Sequence, residues 1–276
     1  SEAAVITAAL LRPAEHWRGL RAANGRAKEF SINIGDRAFH ILALDSPDDP
    51  TDGFDSVLVC PDQKEQNSAC DRLKPAEAAG TTANWGGEFR VTRGAVFGYT
   101  RFRLFALSRD AASMTLYQRA VHGFRGTIPA NIAEAYGRAA GGFTDLGFEP
   151  YSDGALGPPV WLKGDGSAER RLLEIIRLNT ELLASTTRFA LERTNADLII
   201  NYSPAGDSAG HTWMGAMDPA SPAYDSEAAA KLWPFYSQVF ELQDAWIGST
   251  ISAAGSNTVV SLVSDHGMVG AGKTFY

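Results

Sequence analysis

The chain has 276 residues, 45% of them hydrophobic and 21% charged, which are ordinary globular proportions. That length can bury a large core in one or two domains. The formal charge of −7 argues against a nucleic-acid backbone or duplex binder, which needs a basic face, and no apolar run approaches the roughly 20 residues of a membrane-spanning helix.

The opening residues Ser1-Glu2-Ala3-Ala4-Val5-Ile6 lack the basic n-region of a signal peptide, so none is expected within the chain. The stretch from Ala3 to Ala27 is rich in Ala and Arg, and Pro13 breaks any helix there. Strand patterning follows. Phe30, Ile32 and Ile34 alternate with polar residues, run into Gly35-Asp36 and continue as Phe39 to Leu44, which predicts a hairpin. Further strands are expected at Phe54 to Cys60, Glu88 to Thr92, Tyr99 to Leu107 and Met114 to Arg119. Strand upon strand with turns between predicts an antiparallel β region.

Several polar features of this half carry a bland and a sharp reading. Cys60 and Cys70, with nine residues between them, could close a small loop in an oxidising compartment or be two unrelated thiols. A bridge would hint at export, to the periplasm for example, with a cytoplasmic setting as the alternative. The acidic run Asp45 to Asp55 lacks the spacing of an EF-hand, and its Asp and Pro residues are expected to make turns. Arg101 and Arg103 share one strand face, where a solvated outer surface is favoured over an anion site. His40 and His122 stand alone and read as structural.

Glycines and prolines thicken from Gly141 to Gly166, marking a boundary between a β-rich part, residues 1–160, and a second part, residues 161–276. Asp165 or Ser167 can cap a helix whose apolar stripe runs through Leu172, Ile175, Ile176, Leu182, Leu183 and Phe189 and ends near Asn195. The apolar run Leu198 to Tyr202 predicts a buried strand. A second helix is expected from Asp225 to Ala254. Leu232, Phe235, Tyr236, Val239, Phe240, Ile247 and Ile251 form its apolar face, Pro234 kinks or divides it, and Gly255 ends it. The run Thr258 to Val263 predicts another buried strand. Strand, helix, strand is the crossover unit of a parallel sheet, giving an α/β fold.

Each of these two runs is followed by a polar cluster, where ligands of such sheets bind. The first holds Asp207 and His211, four apart and so on one side of a helical turn. The second holds Asp265 and His266, adjacent, with Gly267 as the break that lets them converge. Carboxylate oxygen with imidazole nitrogen suits zinc, and also manganese or iron. Two such pairs at one edge have the composition of a two-metal hydrolytic site.

The pattern Asp207-x-x-Gly210-His211, then Ser264-Asp265-His266-Gly267-Met268 after a helix and a strand, resembles the alkaline phosphatase superfamily. Within it, the type I phosphodiesterase and nucleotide pyrophosphatase family is most similar. The resemblance covers about Gly166 to Tyr276; the β-rich half looks like the insertion or cap those enzymes carry. It implies a partial alkaline-phosphatase-like parallel-sheet core and two divalent ions, zinc first. Asp207 and His211 would bind one ion, Asp265 and His266 the other. It also implies hydrolysis of a phosphodiester or nucleotide pyrophosphate. Phosphomonoesterase, sulfatase or phosphomutase chemistry is the alternative within the superfamily, and a non-catalytic metal- or partner-binding segment the alternative outside it. Gly206 stands where many members have proline. The family's first ligand Asp, its Thr or Ser nucleophile and a later His have no counterpart here, so the chain reads as an internal segment of a longer enzyme with no catalytic nucleophile of its own. Thr81 and Thr82 are the only substitute nucleophiles that suggest themselves, and they read as a loop.

Overall fold

The computed structural model of the chain describes residues 3–76, 80, 82–123, 130–141, 145–194 and 196–270. It combines helices and strands in two compact units. One comprises residues 1–133 with 142–145, the other residues 134–141 with 146–276. The Gly/Pro-rich stretch from Pro150 to Gly166 therefore lies inside the second unit rather than between the two.

The described strands of the first unit are antiparallel. They are β1 (Ala4–Thr7), β2 (Arg12–Pro13), β3 (Ala27–Ile34), β4 (Arg37–Leu44), β5 (Ser56–Pro61), β6 (Asp71–Leu73), β7 (Phe89–Arg93), β8 (Val96–Thr100), β9 (Phe102–Leu107) and β10 (Met114–Gln118). They form three sheets, in the orders β2-β3-β4-β5-β6, β1-β10-β9 and β7-β8. The expected hairpin is β3-β4, with Phe30 opposite Ile41 and Ile32 opposite Phe39. Its turn is pinned from outside. Gly35 has φ +61° and lies so close to β7 that a Cβ there would sit 2.6 Å from the Thr92 carbonyl oxygen, and Asp36 accepts the Thr92 N–H at 2.6 Å. The core centres on Phe39, whose ring lies 5.3 Å from Phe89 and 5.4 Å from Phe102. Burial of each such side chain contributes about 1.5–3 kcal/mol.

Charged groups are more deeply involved in this core than the pattern suggests. Arg103 is fully buried, not on a solvated face. Its guanidinium donates to the carbonyls of Leu104, at 2.5 Å, and Ala76, at 3.0 Å, and lies 4.7 Å from the Phe105 ring centroid. Arginine can be buried so because its fixed fork reaches backbone acceptors that would otherwise be orphaned. The acidic run does make turns: Asp49 accepts Thr51 N–H, Asp55 accepts Ser46 N–H and Asp45 accepts Gly53 N–H. Cys60, buried on β5, is disulfide-bonded to Cys70. His40 lies on β4 with Nδ1 2.7 Å from the Ser31 hydroxyl.

Glu29 on β3 is buried and meets Lys64 Nζ at 2.7 Å and Trp17 Nε1 at 2.6 Å. Burial pushes its carboxyl up, but the hydrogen bonds from Lys64 and Trp17 outweigh this and hold it below the usual 4.5. A depressed carboxyl stabilises the fold above its unfolded pKa and loses that contribution as pH falls through the folded value. Denaturant midpoints measured from about pH 6 to pH 3 should therefore fall more steeply for the native chain than for Glu29→Gln. Parallel curves would remove this pair from the account of acid stability. Lys64→Met should cost about 1.5–3 kcal/mol at neutral pH.

The second unit is helical. Its elements are α1 (Ala130–Ala140), α2 (Phe148–Ser152), α3 (Ser167–Arg193), α4 (Ala205–Met217) and α5 (Ser226–Ala254), the first turn of α1 belonging to the other unit. Asp165 accepts the Ser167 N–H at the start of α3. Asp225 caps α5 through the N–H groups of Glu227 and Ala228, and Gly255 at φ +73° ends it. α3 stops at Arg193; Asn195 lies outside the described residues. Pro234 does not divide α5, which runs unbroken through it. Pro234 and Ala230, whose carbonyl loses its partner, are both exposed, so water can satisfy the freed group. The apolar stripe of α5 is narrower than expected: Leu232 and Val239 are buried, whereas Phe240 and Ile251 are about half exposed. Among the described residues no helix is long and apolar enough to cross a membrane.

The two runs expected as parallel strands are not paired. Leu198 to Tyr202 and Thr258 to Val263 lie outside every described sheet. Leu198, Ile200 and Tyr202 are 76%, 83% and 62% exposed, and Val259, Leu262 and Val263 are 92%, 75% and 88% exposed. No parallel sheet exists among the described strands. A strand needs a neighbour for its backbone N–H and C=O groups, and among the described residues none pairs with these runs.

Candidate metal centre

Asp207 and His211 lie on α4, one turn apart. Asp207 is in the first turn, where the helix N-terminus favours negative charge. Its Oδ1 is 3.3 Å from His211 Nε2. Gly206 explains the absence of proline before this Asp. A Cβ at Gly206 would lie 2.9 Å from Gln243 Oε1 and 3.3 Å from the Phe240 ring, so the bare glycine lets α4 approach α5.

The second motif docks on α4 from the C-terminal side. Met268 packs over Gly210, where a Cβ would lie 2.9 Å from Met268 Cγ. Gly270 N–H donates to Asp218 Oδ2 at 2.9 Å. This bond, with that from the Ala220 N–H, holds the Asp218 carboxyl below its usual range. Gly270 also fits tightly: a Cβ would lie 2.7 Å from Asp218 Cβ and 2.9 Å from the Met214 carbonyl oxygen. Sequence reading missed Asp218 and Gly270. The only local signal was Asp218-Pro219-Ala220, a turn pattern, and its second role in gripping Gly270 is non-local.

Docked in this way, His266 Nε2 stands 3.6 Å from Asp207 Oδ1 and 3.8 Å from Asp265 Oδ2. The four expected residues thus lie together, with Asp207 facing both imidazoles. It is also the least exposed of them: its side chain is 34% accessible, against 69% for His211, 53% for His266 and 72% for Asp265. His266 Nδ1 is 2.9 Å from its neighbour's carbonyl, Gly267 O. With the proton on Nδ1, the lone pair of Nε2 faces the carboxylates. That contact, then Asp265 and Asp207, raises the His266 pKa above its usual 6.5.

The arrangement is incomplete by itself. Asp207 Oδ1 is shielded from solvent and has no hydrogen-bond partner among the described residues. Its approaches to His211 and His266 are ion-pair distances without hydrogen-bond geometry. A carboxylate oxygen so placed costs about 1–3 kcal/mol unless a proton or cation satisfies it. Asp207, His211 and His266 have the donor types for a divalent ion such as zinc. Among the described residues, no three such side chains are already arranged as a set of metal ligands, so the donors would have to close in on an ion. Of the substitute nucleophiles, Thr81 lies outside the described residues, and the carbonyl of Thr82 accepts the Trp85 N–H in a loop turn. Ser203, just before α4, has its hydroxyl tied to Gln243 Nε2 at 3.1 Å. Compared with known proteins, the chain matches no family model, no curated protein and no solved structure.

Proposed function

We propose that the chain is the metal-binding portion of a phosphoric ester hydrolase of the alkaline phosphatase type, acting on phosphodiesters or nucleotide pyrophosphates. The observation that carries the proposal is the convergence of His211 and His266 on Asp207 Oδ1, a buried oxygen without a hydrogen-bond partner among the described residues. Asp207 and His211 would hold one divalent ion. Asp265 and His266 would hold the second, His266 Nε2 standing 3.6 Å from Asp207 Oδ1. When bound, the ions neutralise charge on the phosphoryl oxygens and favour the ionised form of the attacking hydroxyl. The chain's own residues then have three tasks. The α4 N-terminus presents Asp207, Gly210 admits Met268 so that the two motifs meet, and the Gly267 carbonyl takes His266 Nδ1, which leaves Nε2 toward Asp207. The nucleophilic Thr or Ser is supplied from outside residues 1–276.

The same proposal accounts for the uncovered runs. Leu198 to Tyr202 and Thr258 to Val263 are apolar, exposed and outside any sheet, as strands of a parallel sheet would be without their neighbours. The Cys60–Cys70 bridge supports an oxidising, exported setting. The test is calorimetric titration of the chain with Zn2+ and Mn2+ at neutral pH. Saturable binding is expected, weakened in His211→Ala and in His266→Ala. A heat signal unaffected by both substitutions, or no binding, would overturn the metal reading.

A further inference from the structure

Behind the face of α4 that carries Asp207 and His211 runs a buried chain of hydrogen bonds. Trp213 is two residues beyond His211, which at about 100° per residue places it on the far side of the helix. The indole is fully buried, and its Nε1 donates to the Tyr151 hydroxyl at 2.9 Å. Tyr151, on α2 and fully buried, donates in turn to Glu169 Oε1 at 2.5 Å. Glu169, in the first turn of α3 and also fully buried, accepts the Val160 N–H on the same oxygen at 2.8 Å. Its other oxygen, Oε2, has no hydrogen-bond partner among the described residues. The rings are braced as well: Tyr151 meets Trp161 edge-on at 5.3 Å and Trp213 at 6.1 Å. Burial and the adjoining Glu169 push the Tyr151 hydroxyl well above its usual pKa, so it remains a donor.

Apolar contacts alone let a helix roll by small amounts, because they have little directionality. Hydrogen bonds weaken steeply once the donor angle falls toward about 120°. A roll of α4 that moved Asp207 would swing Trp213 off the Tyr151 hydroxyl. We propose that Tyr151 is a positioning residue: through Trp213 it sets the rotation of α4 and so aims Asp207 at the imidazoles of His211 and His266. The assignment rests on the metal reading of that site. Glu169 orients the tyrosine, since its Oε1 is the acceptor that fixes the direction of the hydroxyl proton.

The test is Tyr151→Phe, which removes one oxygen and leaves the ring. Zn2+ affinity is measured by calorimetry well below the melting temperature, with circular dichroism to confirm folding. Affinity should fall about tenfold, the scale of losing an outer partner of a ligand set. In the metal-free protein the Nε2 resonances of His211 and His266 should shift. Glu169→Gln keeps an acceptor for the hydroxyl and should bind nearly as the native chain does. A merely structural tyrosine would lower the melting temperature and leave both the affinity and the ring resonances unchanged; that result overturns the proposal. If Tyr151→Phe does not fold, Trp213→Phe cuts the same bond from the other side and is read by the same criteria. A native chain that binds no zinc would overturn the metal reading, and the histidine resonances of the metal-free variants would then decide the positioning role alone.

Discussion

Asp207→Ala should abolish high-affinity zinc binding, whereas Asp265→Ala should only weaken it. The two carboxylates would be equivalent if each simply anchored one ion. Their surroundings differ. Asp207 Oδ1 is shielded, lacks a hydrogen-bond donor among the described residues and lies within 3.6 Å of two imidazole nitrogens. Asp265 is 72% exposed, and its Oδ1 accepts the His266 N–H. Removing Asp207 takes away the oxygen shared by both histidines. Structural zinc sites gain about 10–16 kcal/mol from four ligands, so one ligand is worth roughly two orders of magnitude in affinity. Asp207→Ala should lose at least that. Asp265→Ala should lose about tenfold, because water can replace an exposed oxygen. Calorimetric titration of both variants beside the native chain reads the difference. Equal losses would mean that Asp207 is not the centre of the site.

That inequality was not legible in the sequence, where the two Asp/His pairs look alike. What could be read there was local. The β3-β4 hairpin follows from alternation around Gly35-Asp36, and the one-sided placement of Asp207 and His211 follows from helical spacing. The Cys60–Cys70 bridge was one of two open readings. The misses are non-local. Arg103 looked like one more polar position on a strand, and its reach to the carbonyls of Leu104 and Ala76 helps make its burial tolerable. Nothing in Ala4–Thr7 announces a strand; β1 exists because β10 supplies its partner. Composition suggested strands at Leu198 to Tyr202 and Thr258 to Val263, yet pairing is a property of two segments, and among the described residues neither run has a partner strand. The grip of Asp218 on Gly270 joins positions 52 residues apart, beyond any window used to find a motif.

Assayed alone with zinc or manganese, the chain should show negligible hydrolysis of a nitrophenyl nucleotide diester, while a longer chain that includes the flanking sequence should turn it over. The argument is chemical. Two Asp/His pairs can gather charge, but in-line transfer also needs a held nucleophile. Among the described residues no hydroxyl is hydrogen-bonded to Asp207 Oδ1. Ser203, which precedes it most closely among the loop hydroxyls, is hydrogen-bonded to Gln243. Thr82 sits in a loop of the other unit. Positioning accounts for up to about 7–11 kcal/mol of such a barrier, and that is the part expected to be absent when residues 1–276 are assayed alone. The longer chain should also cover the exposed runs. Leu198, Ile200, Val259, Leu262 and Val263 should then become protected from solvent, which backbone hydrogen exchange across both runs would register. Metal-dependent turnover by residues 1–276 alone, abolished by Asp207→Ala and by Ser203→Ala, would place the catalytic group within this chain and name it. Turnover abolished by neither substitution would belong to a contaminant. An inactive longer chain that still binds zinc and protects both runs would leave a metal-binding module in place of the enzyme.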